Sequence, residues 1–333
     1  MTRIFLALLV LAMPCVIHAG SAAPLRASES VLEEVRVVGK QPGPKMWRVS
    51  NGEHELWILG VLSPLPKDMD WDSDSVEAVL ADSEEVIFPP GISVTAGVMK
   101  GIFSLPLLWG IRNNPGKETL HEILPEELYQ RWLVLKNRYL GSGKKIEKRR
   151  PMFAAFELYQ KAMEQSGLAT GGTVYPVVNK LIKKYRIRTT NTGISGKIED
   201  PRRAIKNFKR TSIDDIGCFE AVIDRLETDL KVMRLRASAW ASGDLAALRS
   251  LPYEDQNMSC VKSIMGSAYV TDLMESSGLT NAEETMRDNW IKAIENALAN
   301  NEVTFAILPI PEILSQDGYL SMIRNRGYVV KGG

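Results

Sequence analysis

Side chains able to do covalent or metal chemistry are scarce in this chain of 333 residues. It has three histidines (His18, His54, His121) and three cysteines (Cys15, Cys218, Cys260). A serine-nucleophile triad needs a histidine base and a Gly-x-Ser-x-Gly elbow, and neither His54 nor His121 neighbours such an elbow. His54 lies beside a turn and His121 in Leu120-His121-Glu122-Ile123 at the approach to a helix, so both read as surface or half-buried residues. Gly141-Ser142-Gly143-Lys144-Lys145 lacks the full spacing of a phosphate loop and reads as a flexible interhelix loop. Gly193-x-x-Gly196 is weaker still. Asp68, Asp70, Asp72 and Asp74 alternate as in a calcium loop but lack its central glycine and terminal glutamate. Acids ahead of a helix complement its dipole, which is the simpler reading. No cofactor and no metal is expected from these residues. Cys218 and Cys260 would close a loop of about 43 residues, worth roughly 4 kcal/mol in an oxidising compartment. A disulfide is the expectation; two buried thiols or a metal pair are the alternatives.

The start of the chain predicts export. Arg3 precedes the short apolar stretch Ile4 to Val16, and small residues follow at His18-Ala19-Gly20-Ser21-Ala22-Ala23, the pattern of a signal peptide over residues 1–23. The stretch is short for a bilayer span, and no later segment is apolar enough to cross one. The expected location is therefore the periplasm or the medium, with no integral membrane segment after cleavage; an uncleaved N-terminal anchor is the alternative. Residues 24–44 are polar and broken by Gly39, Pro42 and Gly43, and read as a flexible leader in which Glu33 to Gly39 could form a short edge strand. A formal charge of +1 argues against a nucleic-acid-binding protein, and the basic runs Lys144 to Arg150 and Lys183 to Arg186 read as solvated faces.

The remaining chain is long enough for one large domain, and 45% apolar content supports a sizeable core. Met46-Trp47-Arg48-Val49 and Glu55 to Gly60 flank Asn51-Gly52, a hairpin signal. A Pro- and Asp-rich loop from Ser63 to Trp71 follows, then a helix capped by Asp72 or Ser73, then the strand Val86-Ile87-Phe88 stopped by Pro89-Pro90. That order suggests a βαβ unit. The middle reads as helical: Pro125 starts one helix and Pro151 another that ends near Gly167. Ser212 with Asp215 opens a long third helix, its apolar positions recurring from Ile213 to Trp240 before Gly243. Thr280 with Glu283 caps a helix through Trp290 and Leu298. Val303 to Leu308 is a buried-type strand, Pro309-Ile310-Pro311 a loop, Ser315 to Arg326 a helix, and Tyr328-Val329-Val330 the end. The fold class is α/β (α+β), a central mixed sheet built from N- and C-terminal segments around a large helical region of about residues 120–300.

Two segments carry a resemblance. Trp57-Ile58-Leu59-Gly60-Val61-Leu62-Ser63, then Glu84 to Pro89, follow a family order of strand, Gly-x-x-His, loop, helix, and strand ending in an acid, though without the histidine or the acid. Phe305 to Glu312, Asp317-Gly318-Tyr319-Leu320 and Arg326-Gly327-Tyr328-Val329 follow that family's closing order of strand, second Gly-x-x-His, Asp-Gly loop, and helix ending in Arg-Gly-Tyr, again without the histidine. Arg150-Pro151-Met152-Phe153-Ala154-Ala155 and Ala239-Trp240-Ala241-Ser242-Gly243-Asp244 match fragments between them. Together these resemble the TraB/GumN family, related to the TIKI metalloproteases, over a domain of residues 45–331.

The resemblance implies hydrolysis at a metal held by two histidines and an acid, with a position left open for water. At those places this sequence has Ser63, Glu312 and Pro89. Pro309 replaces the second glycine, Val174 stands near Gly172 where family members tend to carry an acid, and Gly60 alone survives. Proline has no side-chain donor, serine is a feeble ligand, and one carboxylate cannot hold a catalytic ion by itself. The reading is therefore an exported, non-catalytic binding or scaffold module whose pocket, rimmed by Ser63, Glu312 and Asp317, takes a peptide or small polar ligand. The alternative is a metal-dependent hydrolase with a rewired site, using Glu312 as general acid or base.

Overall fold

The structure, a computed structural model, describes residues 42–96, 108–169, 172–251, 260 and 267–332. The expected signal segment and the strand proposed at Glu33 to Gly39 lie outside the described residues. Gly43 and Pro44 are already buried, and the Gly43 N–H donates to the Ala241 carbonyl at 3.0 Å.

A six-stranded sheet forms the centre, in the order β10-β1-β2-β9-β4-β7. Its strands are β1 (Met46–Ser50), β2 (Glu55–Val61), β4 (Glu85–Ile87), β7 (Arg188–Thr190), β9 (Val303–Pro309) and β10 (Val329–Gly332). β10, β1 and β2 pair antiparallel, whereas β2, β9, β4 and β7 run parallel. The sequences explain the difference. In β1, Trp47 and Val49 are buried and alternate with half-exposed Met46 and Arg48, as a strand covered on one face requires. In β9, Thr304 to Leu308 are all buried, the continuous run of a parallel strand covered on both faces. Four short strands stand apart in two pairs: β3 (Leu65–Pro66) with β6 (Leu168–Ala169), and β5 (Ile92–Ala96) with β8 (Ile194–Ile198).

Among the described residues the helices are α1 (Asp74–Asp82), α2 (Leu120–Ile123), α3 (Glu126–Tyr139), α4 (Pro151–Gln165), α5 (Tyr175–Tyr185), α6 (Pro201–Arg210), α7 (Ile216–Thr228), α8 (Leu230–Ala241), α9 (Leu245–Ser250), α10 (Ala268–Ser276), α11 (Ala282–Asn300), α12 (Ile310–Leu314) and α13 (Tyr319–Asn325). The mixed α/β class with a helical middle is what the sequence led us to expect. The right-handed crossover rule puts α1 and α5, which pack together, on one sheet face and α11 on the other. Two apolar clusters result. One surrounds the sheet; the second joins α2, α3, α4 and α7 through Trp132, Leu158, Phe219 and Ile223.

Local details differ from the sequence reading. The long helix expected from Ser212 to Gly243 is broken at Asp229 into α7 and α8. The Asp229 carboxylate lies 3.3 Å from Arg225 Nε and 2.5 Å from an Arg236 guanidinium nitrogen, both arginines being buried. Asp215 does not cap its own helix. Its carboxylate accepts the Met152 N–H at 2.8 Å, in the first turn of α4. α11 is preceded by Asn281 in a left-handed conformation rather than by a Thr280 cap. The loop expected at Pro309-Ile310-Pro311 is helical, because Pro311 falls in a first turn, where its missing N–H costs nothing. The expected helix from Ser315 shortens to α13. β7, from the middle of the chain, adds the outer strand of the parallel half. Its Arg188-Thr189-Thr190 is too short and polar to show a strand period.

Cys218 and Cys260 are joined by a disulfide across 42 positions. Among the described residues no helix is long and apolar enough to cross a membrane.

Candidate functional site

β2, β9 and β4 are neighbours, they run in the same direction, and they stop at nearly the same height. Gly60 pairs with Leu308 and Val61 with Pro309, while Ile87 pairs with Ala306 two residues before β4 reaches Pro89. The segments carrying Ser63, Glu312 and Pro89 therefore all leave the sheet at its carboxyl end. Open α/β sheets place their ligand crevice at that end. β4 is two strand spacings from β2, so the Pro89 exit stands roughly 10 Å across the sheet from the Ser63 exit. Ser63 is exposed, Pro89 and Glu312 are half-buried, and Asp317 is exposed.

Gly60 belongs to the framework of this end rather than to its chemistry. A Cβ there would stand 2.9 Å from Trp47 Cζ3 and closer still to Ile310 Cδ1, so the glycine lets α12 settle onto β2. The Gly60 carbonyl accepts the buried Trp240 Nε1–H at 2.7 Å. Trp240 also meets Trp71 edge-on, with ring centroids 5.5 Å apart. The Trp-x-x-Gly-Asp fragment singled out in the sequence thus supports the β2 exit. Beyond it, Val61, Leu62 and Leu65 are buried, and Leu65 pairs with Ala169.

Glu312 sits on α12, and the backbone turns sharply before α13. Gly318 is pressed against Glu312: a Cβ on Gly318 would overlap the Glu312 carbonyl oxygen and lie 3.1 Å from its carbon. Tyr319, next in sequence, is buried and packs edge-on against Trp290 at 4.8 Å. Burial, followed by the negative charge of Glu312, pushes the Tyr319 phenol up to about 12, with Glu283 adding to the rise and Arg287 opposing it. Glu312, Glu283 and Arg287 therefore share one electrostatic neighbourhood around Tyr319.

That neighbourhood borders a cavity. The Leu298 carbonyl near the C-terminal end of α11 is bonded by Asn51 Nδ2 and His54 Nδ1, each at 2.8 Å, from the turn that precedes β2. α11 therefore runs against β2. At about 1.5 Å per residue, its first turns reach the sheet's carboxyl end. There Leu279, Asn281, Glu283, Arg287, Asp288 and Met322 line a cavity of about 730 Å³. Glu284 also reaches it. Arg287 donates to Glu283 at 2.8 Å, which leaves the wall acidic on balance. Sequence reasoning missed this wall, because its acids look like ordinary first-turn residues of a helix and only the direction of α11 brings them here.

Other candidates resolve into structure. His54 is a helix-end partner, and His121 is exposed, 3.9 Å from Glu126 and edge-on to Tyr129. In the aspartate run, Asp72 accepts the Asp74 N–H at 3.0 Å at the start of α1. Among the described residues no three His, Cys, Asp or Glu side chains are grouped as a metal would need. At the opposite end of the sheet, buried Glu85 accepts hydrogen bonds from Arg188, Thr190 and Asn301. Its desolvation is outweighed by these three donors, so its carboxyl is held below the usual range.

The sequence model of the TraB/PrgY/gumN family matches residues 45–332, and the chain belongs to that family. Comparison with curated proteins and with solved structures found no match.

Proposed function

We propose that this protein is an exported member of its family that binds a polar ligand at the carboxyl end of its parallel strands and does not hydrolyse it. The observation that carries the reading is the donor set where β2, β9 and β4 end together: a hydroxyl at Ser63, a carboxylate at Glu312, and at Pro89 no donor at all. The three positions do not fit a catalytic metal, because the ion needs three protein donors and an open position for water. The acidic wall formed by Glu283, Glu284 and Asp288 beside Glu312 favours a ligand with a cationic group, such as a lysine- or arginine-bearing peptide.

Titration calorimetry with short basic, neutral and acidic peptides tests this. Basic peptides should bind, the Glu312→Ala and Glu283→Ala/Glu284→Ala variants should weaken them about tenfold, and no cleavage should accompany binding. Equal affinity for acidic peptides would refute the ligand class.

The second reading is a rewired hydrolase with Glu312 as general acid or base. Its support is the half-burial of Glu312 on α12 beside the buried phenol of Tyr319, which gives the carboxylate an ordered rather than a mobile setting. Cleavage that Glu312→Gln abolishes would select it.

A further inference from the structure

α6 (Pro201–Arg210) carries Arg202, Arg203, Lys206, Lys209 and Arg210 and no acid. At about 100° per residue these five cations fall within an arc of about 120°, opposite Ala204, Ile205 and Phe208. The inner face is anchored: the Tyr269 hydroxyl donates to the Ala204 carbonyl at 2.7 Å, and Phe208 packs against Tyr269 at 6.0 Å and under the Arg150 guanidinium at 4.6 Å. The outer face has no such account. None of the five cations has an ion-pair partner among the described residues. Arg202 and Arg203 lie in the first turn, where the helix dipole disfavours positive charge. Asp200 caps this end by accepting the Arg203 N–H at 3.0 Å, but among the described residues no acid pairs with the five cations, and that surplus points outward to an anionic partner.

A second segment extends this face. Trp109 is 87% exposed and Leu108 42%, and exposed Arg112 and Lys117 follow. Arg150 joins this segment to α6. Its N–H donates to the Arg112 carbonyl at 2.9 Å, and its guanidinium donates to Phe208 O at 2.5 Å and Thr211 O at 2.9 Å. The turn at Pro115–Lys117 also packs on α6. Across residues 108–119 and 200–210 there are seven cations against Glu118 and Asp200, in a chain whose formal charge is only +1.

We propose that α6 and the Leu108–Lys117 segment form one docking face for the surface of an anionic phospholipid bilayer. Cations alone would suit any polyanion. An exposed indole and leucine beside them suit the boundary between headgroups and acyl chains, where aromatic rings settle. Attachment of this kind is peripheral, and it is independent of the ligand site at the carboxyl end of the sheet.

Co-sedimentation of the full chain with vesicles tests this. The protein should pellet with equimolar phosphatidylglycerol and phosphatidylcholine, stay in solution with phosphatidylcholine alone, and be released at about 1 M salt, where the screening length falls to about 3 Å. Each basic residue at an anionic surface contributes about fivefold to partitioning. Arg202→Glu/Lys206→Glu/Arg210→Glu should therefore lower it by more than about a hundredfold, while Trp109→Ala should lower it several-fold at unchanged charge. These side chains are exposed, so melting of both variants should match the parent. Failure to pellet with the anionic vesicles, or pelleting unchanged by the triple reversal, overturns the proposal. So does tighter binding to a duplex oligonucleotide than to the vesicles, with Trp109→Ala indifferent.

Discussion

Replacing Gly318 by alanine tests whether α12 and α13 are held as the geometry at Glu312 requires. The added Cβ would overlap the Glu312 carbonyl oxygen and lie 3.1 Å from both the Glu312 carbonyl carbon and Ser315 Cβ. A backbone oxygen cannot rotate away as a side-chain tip can. Restoring an ordinary carbon-to-oxygen contact of about 3.3 Å moves one backbone segment by about an ångström. Overpacking of this kind costs about 1–3 kcal/mol, and a backbone clash belongs in the upper half of that range. Gly318 has φ −78°, which alanine also adopts, so the less flexible unfolded chain returns about 0.4–1 kcal/mol. The net expectation is a loss of about 1.5–2.5 kcal/mol, or about 2.5–4 °C in melting temperature for a domain of this size. Urea unfolding followed by tryptophan fluorescence, with midpoint and slope both fitted, measures it. Gly91→Ala is the control: an added Cβ there meets nothing within 4 Å, so its effect should be nil or slightly stabilising. A Gly318→Ala midpoint equal to that of Gly91→Ala would refute the close approach of the two helices, and with it the ordered setting of Glu312.

Further predictions concern the surroundings of that site and the frame that holds it. The Tyr319 phenol, raised to about 12 by burial and then by Glu312, stays neutral while an unfolded tyrosine ionises near 10, so stability intact below pH 10 should fall between about pH 10 and 12. Glu312→Gln should lower that phenol's titration in ultraviolet difference spectra, and an unchanged midpoint would separate the two residues. Glu85 is the opposite case: its carboxyl is held down, so its contribution is present above the unfolded value near 4.5 and is lost as acid protonates it below that. Glu85→Ala should cost about 3 kcal/mol by removing the acceptor of Thr190, Arg188 and one Asn301 N–H, and should flatten the acid limb of the stability profile. Reducing the Cys218–Cys260 disulfide should cost roughly 4 kcal/mol, seen as an equal shift for the Cys218→Ser/Cys260→Ser variant.

What could be read from the sequence follows the length scale of each signal. β2 and β9 announce themselves because a buried parallel strand is a run of apolar residues bounded by turn formers. The Gly60 and Trp240 fragments were recognisable as motifs, but not as partners: the hydrogen bond between them spans 180 positions, and only the folded chain brings them together. Asp215 shows the limit most clearly. Its place ahead of α7 fits a local cap, yet its carboxylate serves α4, because burial rewards the distant N–H over the near one. α12 was hidden by its prolines, which look like loop residues until Pro311 is seen in a first turn. The acidic wall at the start of α11 and the cationic arc of α6 are both properties of direction and face. Residue counts carry neither, and a formal charge of +1 conceals them.

The measurement closest to the main claim is the metal content of the purified protein by mass spectrometry, read beside peptide cleavage with and without chelator. Far less than one transition-metal ion per chain, and no chelator-sensitive cleavage of peptides that nonetheless bind, is the predicted result. One tightly held zinc or manganese per chain, lost together with cleavage in Glu312→Ala, would contradict it.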